Sequence, residues 1–426
     1  MSRTRTRADW KSQIVLFLSS QGSSMLGSML VQYALMWHLT MTTQSGEVMT
    51  LAVVVGFLPM MAISPFGGVW ADRFPKRYLI AASDALAALS TVALFVALVL
   101  GHDDIWVILA AMGLRSVGQA VQAPAVGAIL PEIVPEEHLL KVNGYNGSIQ
   151  AAIGFGSPLL AGALLTLMPM QWVLLIDVVT AAAAIVIMLA LVRTPHRAAG
   201  PEAEATTALR DIADGVRYLL RHKFVRRLYW YFAVTFFLAA PISFLTPLQV
   251  TRTFSNEVWR LSVIEMAFFV GMMIGGVAIG QWGGFRRKSV TVAAAIGVFG
   301  LTSVLLGVPQ NFVVYNVWMF TAGIVMPMLQ APTMTLLQIA VDRRYLGRVM
   351  SLMTVISTTM MPLGMLLFGP LADRVDIEFI LVGAGVLMLI GAVLMLADRT
   401  IREGETLDVV VDETGQLVPE SGAAGA

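Results

Sequence analysis

Twelve long apolar runs constrain this chain more than any other feature. They fall at residues 13–40, 48–70, 78–100, 105–128, 143–168, 171–192, 225–250, 259–282, 289–308, 312–338, 349–370 and 378–397. Each is close to the roughly 20 apolar residues that carry a helix across a bilayer. Lipid offers no partner for backbone N–H and C=O groups, so each run has to satisfy its own as a helix. Together the runs fill over half of the 426 residues and leave no room for a sizeable soluble domain. Composition agrees, with 57% of residues hydrophobic and only 13% charged, against about 25% charged in soluble domains. The expected fold class is an all-α polytopic membrane protein of 12 transmembrane helices, with the lipid bilayer as its solvent.

Basic residues orient the spans, because cytoplasmic segments retain Lys and Arg. With the N-terminus inside, the inner segments hold Arg3, Arg5, Arg7 and Lys11; Arg73, Lys76 and Arg77; Lys141; the bases between Arg193 and Arg227; Arg286, Arg287 and Lys288; Arg343, Arg344 and Arg348; and Arg399 and Arg402. The outer loops hold Arg252, Arg260 and Arg374. Both termini are therefore expected to be cytoplasmic. The basic start, MSRTRTRADWK, precedes a long apolar run without a convincing cleavage site, so the first span is expected to stay uncleaved.

One long polar segment, residues 193–223, divides the spans six and six. It opens as a flexible linker, RTPHRAAGPEAEATT. In its second part Leu209, Ile212, Val216, Leu219 and Leu220 recur at helical spacing among basic residues, which predicts an amphipathic helix on the inner membrane surface. The expected organisation is a six-helix bundle over 1–192, the linker over 193–223, a second six-helix bundle over 224–398 and a tail over 399–426. That tail is acidic and poor in aromatics and is expected to be disordered. The halves look like divergent copies: PEEHLLKVNGYNGS before and into span five corresponds to DRRYLGRVMSLMT before span eleven, and GSPLLAG corresponds to FGPLADR.

Several chemistries are excluded. There are no cysteines, hence no disulfide, no thiolate metal site and no thiol nucleophile, and the five histidines show no metal-binding spacing. No Gly-rich loop followed by Lys and Ser or Thr is present, so nothing suggests nucleotide hydrolysis. No nucleophile, base and orienting group form a set, so the chain is not expected to be an enzyme. No cofactor, metal or nucleic-acid partner is expected.

Charge inside the spans points to function, because an ionised group there costs at least ~2.5–3.5 kcal/mol and has to face a partner or a polar cavity. Arg115 lies about ten residues into span four. Arg115, Gly118, Gln119 and Gln122 stand at i, i+3, i+4 and i+7, a polar stripe on one helix face. Asp84 in span three, Asp177 in span six and Glu265 in span eight are the intramembrane acids. With Arg115 they are the candidates for proton coupling, and Asp84 on the preceding helix is the expected partner of Arg115. A structural ion pair is the alternative for Arg115, and a hydrogen-bonded structural acid for each carboxylate. Sparse polar contacts to a substrate are expected from Gln21, Gln32, Tyr33, Gln119, Gln122, Asn146, Gln150, Gln330 and Gln338. The 26 methionines suit a pocket that takes varied bulky ligands, or equally serve as core and lipid-facing filler.

The link GGVWADRFPKR at residues 67–77 resembles the loop between spans two and three of the major facilitator superfamily, G-x-x-x-D-R-x-G-R-R/K. Gly68, Asp72, Arg73, Lys76 and Arg77 match it, and Pro75 replaces the usual glycine. The resemblance implies two pseudo-symmetric six-helix bundles, with this link acting as a conformational switch in which Asp72 contacts the neighbouring half near span eleven. The segment RSVGQAVQAPAVG resembles the span-four arginine motif of proton-coupled drug exporters. Gly154, Gly156, Pro158 and Gly162 resemble the span-five packing motif of antiporters, with Ser157 in place of the glycine before proline. GFLPMMAISPFGGVWADR, the stretch from RSVGQAV to NGSIQ and DVVTAAAA bring the chain nearest to the macrolide-efflux branch of bacterial exporters. What this implies is a monomeric antiporter of the bacterial cytoplasmic membrane. It would export an amphipathic small molecule, with protons as its second partner and the proton gradient as its energy source. The alternatives are export of a native metabolite or siderophore, and a membrane sensor that binds ligand without transporting it.

Overall fold

The computed structural model describes residues 10–192, 215–308, 311–404, 409–411 and 417–419, without the side chains of Pro65, Val69, Asp72, Arg343, Arg344 and the strand residues. Among these residues twelve helices are long and apolar enough to cross a membrane. They are α1 Trp10–Thr43, α2 Gly46–Arg73, α3 Lys76–Val99, α4 Ile105–Ile133, α5 Glu136–Leu167, α6 Met170–Leu191, α7 Lys223–Thr253, α8 Val258–Trp282, α9 Lys288–Leu306, α10 Phe312–Ala340, α11 Arg343–Leu371 and α12 Ile377–Ala397. The last turn of α6, Ile187–Leu191, and a turn within α7, Pro241–Leu245, are π-helical.

The helices overrun the apolar runs because the bilayer limits only the apolar part, while capping decides where a helix begins. Pro75, Pro135 and Pro169 stand immediately ahead of α3, α5 and α6, where a missing N–H removes no helical bond. Asn311 caps α10 by accepting from the Val314 N–H at 2.9 Å. Residues 215–221 form a short helix; the part of the predicted amphipathic stretch before residue 215 lies outside the described residues. This short helix buries Gly215 and Tyr218 and exposes Val216 and Leu220. In the tail, a short helix α13, Arg399–Gly404, is followed by an antiparallel ladder of β1, Val409–Val411, with β2, Leu417–Pro419. Most of the tail expected to be disordered lies outside the described residues.

The chain divides into two units. The first holds residues 1–209, 244–266 and 369–374. Here α1 packs on α6 and α5, α2 on α4, and α3 on α4 and α6. Two apolar clusters lie at its two ends. One gathers Ile14, Phe17, Ile80, Ile129 and Met188; the other gathers Val31, Leu35, Leu94, Ile108 and Leu174. On each of α1, α3, α4 and α6 a buried polar residue falls between these two sets: Ser24, Asp84, Arg115 and Asp177.

The second unit holds residues 210–243, 267–368 and 375–426. In it α9 packs on α12 and α10, and α7 lies beside α12 and α13. The α9–α12 contact is backbone to backbone: a Cβ on Gly300 would lie 2.8 Å from the Gly385 carbonyl oxygen. Small residues permit this approach, and in lipid such close packing is what holds helices together.

Candidate functional site

The polar belt between the two apolar clusters of the first unit is the densest grouping of charge inside its spans. Arg115 on α4 forms an ion pair with Asp177 on α6, and the two side chains are 5% and 1% exposed. Thr91 on α3 donates its hydroxyl to Asp177 Oδ2 at 2.9 Å, and Arg115 also reaches the Thr91 oxygen. On α1, the Ser28 carbonyl accepts from Arg115 Nη2 at 3.4 Å, and the Ser28 hydroxyl meets Asp177 Oδ1 at 3.5 Å. Four helices thus converge on one pair. Gly27 lets α1 come this close, since a Cβ there would lie 2.1 Å from Thr180 Oγ1 and 2.9 Å from the Asp177 Cα. The expectation that Asp84 would partner Arg115 is corrected here. Chain order made α3 the nearest source of an acid, but α6 also packs in this cluster and supplies Asp177.

Asp84 makes its own contacts in the same belt. Its Oδ1 accepts from the Ser24 hydroxyl and, at 2.8 Å, from Gln122 Nε2. Its Oδ2 is buried and has no hydrogen-bond partner among the described residues. The two carboxylates, Asp84 and Asp177, lie within electrostatic reach of each other. Ionised, the cluster holds one guanidinium and two carboxylates, so it is one proton short of neutrality. Within the stripe on α4, Arg115 and Gln122 therefore meet α6 and α3, Gly118 packs on the Ser83 carbonyl, and Gln119 is half-buried. Glu265 on α8 stands apart from the belt; it is half-buried and within electrostatic reach of Tyr33 on α1.

The other sequence candidates scatter. Gln21 is half-buried, and its Nε2 lacks a hydrogen-bond partner among the described residues. Tyr33 packs against Trp37 with ring centroids 5.4 Å apart. Asn146 is half-buried, whereas Gln32, Gln150, Gln330 and Gln338 are exposed. In the span-five motif, Gly162 is in tight contact: a Cβ there would meet Ser262 and Trp37. Pro158 and Ser157 are buried, Gly154 is half-buried, and nothing lies within 4 Å of a Cβ placed at Gly156.

In the α2–α3 link, Lys76 pairs with Glu132 of α4 at 2.7 Å. Arg77 Nη2 donates to the Tyr78 hydroxyl at 2.7 Å and lies over that ring. Arg73 is exposed, and a Cβ at Gly68 would meet open space. The Asp72 side chain lies outside the described residues.

At the opposite end of α2 is a cluster that sequence reasoning missed. The Asp373 carboxylate caps the α2 N-terminus. It accepts from the Gly46 N–H at 2.7 Å, the Glu47 N–H at 2.8 Å and the Ser45 hydroxyl at 2.8 Å. Arg252, at the end of α7, donates to it at 2.9 Å, to the Ala372 carbonyl at 2.7 Å and to the Gln44 carbonyl. Burial pushes the Asp373 carboxyl up, but the backbone N–H groups, Ser45 and Arg252 outweigh it and hold the group below its ordinary value. The signal was present in FGPLADR, noticed only as a repeat of earlier sequence.

Comparison with known proteins bears on this arrangement. The chain is 28% identical over 397 residues to macrolide efflux protein A of Streptococcus pyogenes, covering 93% of this chain and 98% of that protein. It is 24% identical over 403 residues to the multidrug efflux pump Tap of Mycolicibacterium fortuitum, covering 91% and 96%. Among solved structures it resembles the nucleoside transporter NupG, with a TM-score of 0.71 at 12% identity over 91% of this chain and 99% of that one. It also resembles a bacterial homolog of the human lysosomal transporter Spinster, with a TM-score of 0.70 at 15% identity over 93% and 98%. At such identities the solved structures speak for the fold alone. Residues 14–365 match the family model described as Major Facilitator Superfamily. With twelve membrane-length helices and a match over most of its length, the chain belongs to the major facilitator superfamily.

Proposed function

We propose that this chain is a secondary active exporter of amphipathic, macrolide-like or multidrug substrates, driven by proton antiport through alternating access. Its relatives' names support efflux of such molecules. The observation that carries the coupling is the Arg115–Asp177–Asp84 cluster, buried between two apolar ends and one proton short of neutrality. Arg115 holds Asp177 by its charge and by hydrogen bonds, so Asp177 serves as the fixed counter-charge of the pair. Asp84 has one oxygen fixed by Ser24 and Gln122 and one oxygen without a partner among the described residues. That free oxygen is where the coupling proton is carried. Gln122 ties this site to the polar stripe on α4, the face from which Gln119 reaches toward substrate.

Two six-helix halves alternate, with Lys76–Glu132 ordering the inner link and Asp373 with Arg252 fastening the outer end of α2. The protein works as a monomer in the bacterial cytoplasmic membrane with both termini inside. It uses the proton gradient and no cofactor, and has no nucleic-acid partner.

The test is transport of a macrolide into proteoliposomes under an imposed pH gradient, with wild type and Asp84→Asn. Asparagine keeps the acceptor for Ser24 and Gln122 but carries no proton. We expect wild-type uptake to collapse with a protonophore, and Asp84→Asn to bind the drug while releasing no protons on its addition. Wild-type uptake indifferent to the protonophore would reject proton coupling, and drug-driven proton release from Asp84→Asn would reject Asp84 as the carrier.

A further inference from the structure

In the second unit, exposed bases gather at one end of an apolar groove. Lys223, Arg226 and Arg227 lie within the first five residues of α7, and Arg399 and Arg402 on α13, which packs beside it. Arg227 is engaged with Asp398 at 3.8 Å. Arg226 donates Nη1 to the Leu220 carbonyl at 3.1 Å, and its Nη2 and Nε meet no carboxylate among the described residues. Lys223, Arg226 and Trp230 follow one another at i, i+3 and i+7 and so share a helix face. Beyond Trp230 opens a groove of about 520 Å³ between α7, α9, α11 and α12, inside the range of about 300–1,000 Å³ that small-molecule sites occupy. Its walls include Trp230, Val234, Phe237, Met360, Ile390 and Leu394. Trp230, Ile390 and Leu394 are each about half exposed, so the groove opens sideways to lipid.

Polarity is confined to the mouth. Deep in the groove, Thr235 turns its hydroxyl to the Tyr231 carbonyl of its own helix at 2.7 Å. At the mouth the Tyr231 hydroxyl meets Asp398 at 3.3 Å. A ligand with polar groups along its length would find no partner inside. A ligand with an anionic head and an apolar tail matches both ends, because basic pockets at helix ends bind acidic headgroups. We propose that this groove holds an acyl chain of an anionic bilayer phospholipid whose phosphate sits on Lys223 and Arg226.

Gly391 makes a clean test. It lines the groove, and a Cβ there would meet nothing within 4 Å, so Gly391→Phe fills the groove without crowding the core. Melting of the detergent-purified full chain is measured with phosphatidylglycerol, with phosphatidylcholine and with inorganic phosphate. Wild type should melt about 2–4 °C higher with phosphatidylglycerol than with phosphatidylcholine. At least half of that shift should vanish in Lys223→Gln/Arg226→Gln and, separately, in Gly391→Phe. Equal protection by phosphatidylcholine or by inorganic phosphate would overturn the assignment, as would either variant keeping the full shift. A macrolide that protects wild type but not Gly391→Phe, with no effect of phosphatidylglycerol, would overturn it too and assign the groove to drug.

Discussion

Removing one member of the Arg115–Asp177 pair leaves the other buried without its counter-charge. Such a loss is worth about 3–5 kcal/mol, whereas replacing both partners by apolar residues is often neutral. Arg115→Leu alone should therefore melt far below wild type, and Arg115→Leu with Asp177→Leu should recover most of that loss. If the pair serves coupling, the double variant stays inactive in drug-accumulation assays despite its recovered melting point; restored export would make the pair structural only. Arg115→Lys keeps the charge without the planar fork of donors and should retain part of the activity. The depth of Arg115 was legible from its place in an apolar run. Its partner was not, because a run says how deep a residue lies and nothing about which helix stands beside it.

Asp373 acts on an element instead: it neutralises the exposed N–H groups that begin α2 and draws Arg252 onto the same spot. A carboxylate at a helix N-terminus, partly buried, contributes up to ~2 kcal/mol. Because its folded value lies below its ordinary one, this contribution is fully present above about pH 3.9, the unfolded value. It is lost as pH falls through the lower folded value. Asp373→Asn should thus melt below wild type from pH 7 down to about pH 5, and the gap should close at lower pH. A gap that stays constant down to acid pH would show that the carboxylate's charge is not what matters. Helix existence was legible in the apolar runs, and the cap Ser45 ahead of an acid suits a helix start. That a second acid, over 300 residues later, completes the same cap is a tertiary fact with no local signature.

For the whole molecule, the count of spans was legible because an unbroken run of about 20 apolar residues can satisfy its backbone in lipid only as a helix, and the twelve membrane-length helices among the described residues agree with it. Orientation rests on the asymmetry of Lys and Arg alone. Since the sequence has no cysteine, single cysteines at Ser2, Ala205 and Ala424 can be probed without background in intact cells. All three should resist impermeant thiol reagents, and labelling of any one from outside would reverse the assignment. The groove beside α7 was invisible in the sequence, where its residues read as ordinary span filler. Only packing brings Met360, Ile390 and Leu394 to face one another.

The wide turn at Pro241–Leu245 sets the angular phase of α7. A π-helical turn carries one residue more than an α-helical turn, so everything after it is rotated by about 100° against an unbroken helix. Arg252, which donates to Asp373 at 2.9 Å, lies in the rotated part. Deleting Ser243 would leave hydropathy and span length almost unchanged, yet would swing Arg252 about a quarter-turn off the α2 terminus. Such a deletion should reproduce the pH-dependent melting deficit of Asp373→Asn without altering a single charge. An undiminished wild-type melting profile would mean that the helix absorbs the missing residue elsewhere.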